Sequence, residues 1–224
     1  MTPARMGRPP ALTRAQIARV VIEVGFENLT MAAVRDRLGV GHTTLYRYAA
    51  DRDELVRMGI SRLLEYAPWP SRDGHWRHVM TQYALTLWQL WADHPGAASE
   101  ATRGILPLNR MRLTDDLCAI LLRQGFTPIN AVLACDVVFD MVTDTRSDIE
   151  RFDWANPDAG SEHLTDYPDD YPNQAPSQNA RPATQQERRL VQAAMAAALD
   201  TAPPDWFARK LHVVLDGVEH ALAP

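Results

Sequence analysis

The chain has 224 residues, 46% of them hydrophobic and 23% charged, with 28 acidic against 23 basic side chains and a formal net charge of −5. That length carries one large or two small domains with a real core, and the balance is ordinary for a folded globular protein. No apolar run approaches the roughly 20 residues that cross a bilayer, and the opening MTPARMGRPP lacks the apolar stretch of a signal peptide, so a cytoplasmic protein with no membrane partner is expected.

The charge is unevenly spread. Residues 1–48 hold seven arginines (Arg5, Arg8, Arg14, Arg19, Arg35, Arg37, Arg47) against Glu23, Glu27 and Asp36, a net +4, which leaves −9 for the rest. A basic N-terminal part aimed at phosphate and an acidic remainder kept off it follow from that division.

Residues 1–11 are rich in Pro and Arg, have no period and read as a flexible arm. A first helix is expected from Thr13, where Gln16 three positions on completes a capping box, and Ile17, Val20, Val21 and Val24 form one apolar stripe. From Leu29 to Leu55 the sequence LTMAAVRDRLGVGHTTLYRYAADRDEL reads as a short helix, a tight turn at Gly39, a second short helix and a capped third one. Glycine accepts the left-handed conformation that such a reversal needs, and the segment has the grammar of a helix-turn-helix. In that motif the second helix enters the major groove, and His42, Thr43, Thr44, Tyr46 and Arg47 are the hydrogen-bonding and basic groups suited to base edges and phosphates. Asp51 with Glu54 starts the next helix, which runs through Leu55, Met58, Leu63 and Leu64 to about Tyr66.

Gly25, Leu29-Thr30-Met31, Leu38-Gly39-Val40, Thr44-Leu45-Tyr46 and Asp51-Arg52-Asp53-Glu54-Leu55, at these spacings, resemble the N-terminal DNA-binding domain of the tetracycline repressor (TetR) family over about residues 12–60. The resemblance implies that His42, Thr43 and Arg47 face base edges, and that Thr30, Thr44, Tyr46, Tyr48 and Arg52 hold phosphates. Two positions depart from the family pattern. Arg35 stands where a small alanine is usual at the crossing of the two motif helices, and Gly41 stands where Ser or Thr usually caps the recognition helix.

Ala67-Pro68-Trp69-Pro70 breaks the helical pattern, so a DNA-binding domain at 12–66 and a helical C-terminal regulatory and dimerisation domain at 67–224 are expected. In the second, helices are predicted over about Ser71 to Asp93, from Pro95 to near Gly104, from Pro107 to Gly125 and from Thr127-Pro128 to about Phe152. A long acidic, Pro-rich loop is expected at 153–183, then a helix from Thr184 with Glu187 as its box partner, and a last helix from Pro204. No strand signal appears, and the fold class is all-α. Cys118 and Cys135 fall in helical apolar patterns and are expected as buried free thiols.

Alone, residues 71–224 say only that a helical bundle forms. The family resemblance implies a homodimer with an effector pocket in this domain. Interface candidates are the helix at 128–152, with Val132, Cys135, Phe139 and Val142, and the two helices after the loop. Trp76, Met80, Tyr83, Trp88, Trp91 and Met111 suit either plain core or the lining of a site for a flat apolar molecule. Asp136, Asp140, Asp144 and Asp148, four apart, read as a solvated face or as recognition of a cationic ligand, with Asp140 the candidate ligand contact. His75 and His78 share a helix face, but no third ligand stands at the right spacing, so neither a metal nor a cofactor is expected.

The chain lacks G-x-S-x-G, H-E-x-x-H, a Walker loop and a dinucleotide turn, and no catalytic residue is expected. The resulting expectation is a dimeric regulator, a repressor released from a palindromic double-stranded DNA operator by a small-molecule effector. The alternatives are a helical enzyme and a ligand-independent DNA-binding protein.

Overall fold

Several helix starts in this chain coincide with side chains able to accept the orphan N–H groups of a first turn. In the computed structural model, which describes residues 12–105, 107–151 and 184–224, α1 (Arg14–Val24) begins behind Thr13. Its capping box forms: the Gln16 N–H donates to the Thr13 hydroxyl at 3.2 Å and the Thr13 N–H to the Gln16 side chain at 2.8 Å. α2 (Met31–Leu38) starts where the Ala33 N–H donates to the Thr30 hydroxyl at 3.0 Å. It stops at Gly39, whose φ of 64° is a left-handed conformation that glycine adopts without a Cβ clash. α3 (His42–Tyr46) follows, and α4 (Arg52–Tyr66) starts at Asp51, which accepts the Glu54 N–H at 2.8 Å.

These four helices close over Ile17, Val21, Phe26, Val34, Leu45 and Leu55, all buried. α1 and α4 approach closely at Gly59, where a Cβ would lie 2.6 Å from Val21 Cγ1 and 3.0 Å from the Phe26 ring.

The remaining described helices are α5 (Trp76–Ala92), α6 (Ala97–Thr102), α7 (Leu108–Arg123), α8 (Pro128–Arg151), α9 (Gln185–Leu199) and α10 (Pro203–Ala221), and the described residues contain no strand. The expected arm at 1–11 and loop at 153–183 lie outside the described residues. α8 is the hub: α5, α6, α7 and α10 all pack on it. Buried Ala131 and Ala134 keep that contact surface low. α4 reaches α6 and α7, so its buried side chains join the same core.

α5 begins at Trp76 rather than at the predicted Ser71. The approach is held in another shape by the end of α7: Gln124 accepts the Trp76 N–H at 2.7 Å and donates to the Gly74 carbonyl at 2.9 Å. His75 caps the helix by accepting the Arg77 N–H.

The interface expectation for α8 needs correction. Val132 is exposed, but Cys135, Phe139 and Val142 are buried against the neighbouring helices. The apolar residues that α8 leaves exposed are Ile129, Val132, Leu133 and Val137, one position round the helix from the predicted row. α10 exposes Val213, and α9 exposes Leu190, Val191 and Met195. The Cys118 thiol donates to Cys135 Sγ at 3.7 Å, and both cysteines are free.

Candidate nucleic-acid interface and internal cavity

α3 is positioned by one buried anchor, Leu45, set into the groove against α2, while its other residues project outward or sit at the rim. Gly41 leaves its N-terminus without a side-chain cap, so the fixed Gly39-Val40-Gly41 turn and Leu45 hold this five-residue helix in place. His42 and Thr43 are exposed, and the His42 ring stacks on Tyr46 one turn on, with centroids 4.2 Å apart. That stack orients the exposed Tyr46 hydroxyl. Arg47 sits at the helix end with its guanidinium 5.9 Å from the Tyr48 ring centre and has no carboxylate partner among the described residues. Arg14, Arg19, Arg35 and Arg37 are all paired with acids. Arg35 pairs with Asp36 at 2.6 Å while lining a small pocket between α2 and α3 with Met31, Ala32, His42, Leu45 and Tyr46.

Of the other expected DNA contacts, Thr30 is exposed, and Thr44 and Tyr48 are half-buried. Thr30 accepts the Ala33 N–H, which leaves its own O–H free to donate. Arg52 is placed differently from the expectation. Its guanidinium turns inward, donating to the Leu29 carbonyl at 2.9 Å, the Phe26 carbonyl at 3.3 Å and the Glu100 carboxylate of α6 at 2.6 Å. Glu100 also takes Arg103 at 2.6 Å. Burial pushes the Glu100 carboxyl up, but Arg52 and Arg103 together outweigh it and hold the group below its ordinary value. At the other end of α6, Gly96 sits so close to Phe26 and Glu27 that a Cβ would be 2.9 Å from the Glu27 nitrogen. α6 is thus fastened at two points to the N-terminal helices.

A cavity of about 260 Å³ opens beside it. Its apolar wall is Ile60 and Leu64 of α4, Leu87 and Trp91 of α5, Leu113 of α7 and Phe139 of α8. Its polar side is Thr102 of α6, Arg110 and Thr114 of α7, and Asp140, Thr143 and Asp144 of α8. Thr114 and Thr143 donate to carbonyls of their own helices, and Thr143 Oγ1 also accepts the Trp91 indole N–H at 3.4 Å. Arg110 donates to Asp140 at 3.2 Å. Burial, with the Asp136 and Asp144 carboxylates, raises the Asp140 carboxyl above its usual range against the pull of Arg110.

Only Trp91 and Asp140 of the expected ligand residues line this cavity. Trp76 lies 15 positions before Trp91, about 22 Å away along the helix, and packs edge-on against Phe126. Met80 is buried core, Tyr83 stacks on Trp69, and Trp88 stacks on Phe207 at 4.0 Å under the Arg146 guanidinium. Met111 points outward, 63% exposed. These side chains fill structural roles, while the cavity draws two to four residues from each of five helices. Asp144, one turn from Asp140, was legible as part of the acidic stripe; Leu87, Leu113 and Phe139 carried no signal that separates cavity wall from core. Among the described residues no group of three His, Cys, Asp or Glu side chains is placed to hold a metal. No described helix is long and apolar enough to cross a membrane.

A helix-turn-helix with an outward recognition helix, joined to a larger helical domain that encloses a cavity, defines a DNA-binding regulator of the two-part helical type. Residues 15–58 match the family model described as bacterial regulatory proteins, tetR family. Residues 15–58 thus carry the DNA-binding domain of the tetR family of transcriptional regulators.

Its relatives agree. An HTH-type transcriptional regulator of Saccharopolyspora erythraea is 26% identical over 175 residues, 71% of this chain and 73% of that protein. The HTH-type transcriptional repressor DrrR1 of Streptomyces coeruleorubidus is 26% identical over 140 residues, and the match spans 58% of this chain and about half, 52%, of DrrR1. In fold, the chain is similar to apo ActR of Streptomyces coelicolor, with a TM-score of 0.73 at 17% identity over 94% of this chain and 96% of that one. ActR in complex with actinorhodin also gives 0.73, at 19% identity over 96% and 98% of the two chains.

Proposed function

We propose that this protein is a repressor that binds a two-fold symmetric operator as a homodimer and leaves it when a small molecule fills the cavity. The observation that carries the reading is that Ile60 and Leu64, on the same helix whose start flanks α3, form part of the cavity wall. A ligand there touches α4 directly. α4 is about 22 Å long, so a tilt of about 5° at its Leu64 end moves its Asp51 end by roughly 2 Å. Hydrogen bonds to bases tolerate only a few tenths of an ångström around 2.7–3.2 Å. A small rotation therefore suffices to dislodge α3, and the ligand acts by favouring the tilted population.

In this reading residues 12–66 form the DNA-binding domain and residues from 67 onward the regulatory one. His42, Thr43 and Arg47 read bases, while Thr30, Thr44, Tyr46 and Tyr48 hold phosphates. Arg52 serves the interdomain ion pair instead. The exposed apolar residues of α8, α9 and α10 are covered by a second copy, which sets two recognition helices about 34–36 Å apart on one face of the duplex. The name of DrrR1 and the ligand-bound ActR structures support repression and small-molecule control. The role is regulatory rather than catalytic.

The test is selection of genomic fragments by the purified protein at matched salt, beside a Tyr46→Ala, Arg47→Ala variant, with sedimentation to give the oligomer. An enriched inverted repeat that the variant loses, bound by a dimer, is expected. A monomer, or fragments retained equally by both proteins, would overturn the proposal.

A further inference from the structure

The cavity has its charge at one side only. Leu87, Trp91, Leu113 and Phe139 form an apolar wall, and the charged groups that line the space are Arg110, Asp140 and Asp144. Arg110 is already engaged with Asp140 at 3.2 Å, and Asp144, like Asp140 an exposed residue at the open side of the space, has no ion-pair partner among the described residues. Asp136, one turn before Asp140, adds a third carboxylate to the row; burial first, then Asp136 and Asp144, push the Asp140 carboxyl up. Like charges one helical turn apart oppose each other, and here one guanidinium answers three carboxylates. A positive group entering beside Asp144 relieves that excess, whereas a carboxylate must compete with Asp140 for Arg110.

Size sets the second limit. A space of about 260 Å³ lies just under the range of about 300–1,000 Å³ usual for small-molecule sites, so it admits one or two rings. Trp91 offers a flat face, and its indole N–H is directed to Thr143 at 3.4 Å, which leaves the ring itself for an apolar body.

We propose that the effector is a small amphiphilic cation, a compact ring system bearing a protonated amine, with its ring among Trp91, Leu113 and Phe139 and its amine between Asp144 and Asp140. This rests on the small-molecule control proposed above.

The experiment is calorimetric titration of the full chain with three indoles that differ only at one end: tryptamine, its neutral alcohol tryptophol, and indole-3-acetate. Tryptamine is expected to bind about 10-fold more tightly than tryptophol, a difference of about 1.4 kcal/mol, with indole-3-acetate weaker still. Asp144→Asn should bring tryptamine and tryptophol to within about 3-fold of each other. Asp148→Asn, on the same helix but outside the cavity, should leave the ratio unchanged and so excludes general attraction of cations to an acidic protein. Equal binding of tryptamine and tryptophol, tighter binding of indole-3-acetate, an unchanged ratio in Asp144→Asn, or no saturable binding of tryptamine overturns the inference. The genomic selection requires no ligand, so it succeeds or fails independently of this result.

Discussion

The Arg52–Glu100 contact is open to a double-mutant cycle whose size follows from the structure. The pair is 2.6 Å long, with the carboxylate 11% and the guanidinium 32% exposed. Exposed ion pairs contribute about 0.2–1 kcal/mol, and stripping one partner from a fully buried pair costs about 3–5 kcal/mol. This pair falls between, because solvent reaches Arg52 and because Glu100 keeps Arg103 when Arg52 is lost. Glu100→Ala is therefore expected to cost about 1–2 kcal/mol. Arg52→Ala should cost more, about 2–3 kcal/mol, because it also strips donors from the Leu29 and Phe26 carbonyls. The coupling from urea unfolding of wild type, both single variants and the double variant, at one fixed chain concentration, should be about 1 kcal/mol. A coupling below about 0.3 kcal/mol, or a Glu100→Ala cost that equals or exceeds that of Arg52→Ala, refutes the reasoning.

The same carboxylate gives a pH signature. Its folded-state pKa lies below the unfolded value, so the unfolded chain takes up the proton first as pH falls. The contribution of Glu100 is complete above the unfolded pKa of about 4.3 and is lost as pH drops through the depressed folded one, so the stability gap between wild type and Glu100→Gln should narrow on acidification. A gap that stays constant to pH 3 contradicts this. Gly59→Ala gains about 1 kcal/mol of helix propensity but drives a methyl to 2.6 Å from the stiff, buried Val21, and overpacking of about 1–3 kcal/mol should win; a raised melting temperature would show that α1 yields. Asp51→Ala removes the α4 cap and should cost about 1 kcal/mol in urea unfolding; an unchanged midpoint would show that water replaces the cap. Burial, helped by Cys118 and Asp136, pushes the Cys135 thiol up, so a disulfide reagent should titrate one thiol per native chain and the second only in denaturant. Two native thiols reacting at one rate would count against the packing of α7 on α8.

What could be read from the sequence was local. Thr13 with Gln16, Asp51 with Glu54 and Thr184 with Glu187 each announce a helix through contacts three residues long, and all three helices start there. Gly39 likewise marks its turn through its own backbone. The start of α5 escaped because Gln124, 48 positions from Trp76, fixes the chain before it. Arg52 escaped for the same reason: its side chain is claimed by Glu100, 48 positions away, and no local pattern distinguishes it from a phosphate contact. On α8 the apolar residues nearly encircle the helix, so periodicity could not choose between the row holding Cys135 and Phe139 and the row holding Ile129 and Val137. The aromatic residues of α5 drew attention to the correct helix but spread along its whole length, whereas the cavity lies at its last turns.

The short α3 separates what the fold needs from what the DNA would see. Leu45 alone is buried there, and its loss would cost about 2–5 kcal/mol, whereas exposed positions such as His42 and Thr43 change stability by only about ±0.5 kcal/mol. With no hydroxyl cap at Gly41 to preserve, the helix asks little of its two leading side chains beyond the stack of His42 on Tyr46. On the DNA contacts proposed above, single substitutions at positions 42 and 43 would open new operators at little cost in stability, while Gly39 and Leu45 answer to the fold.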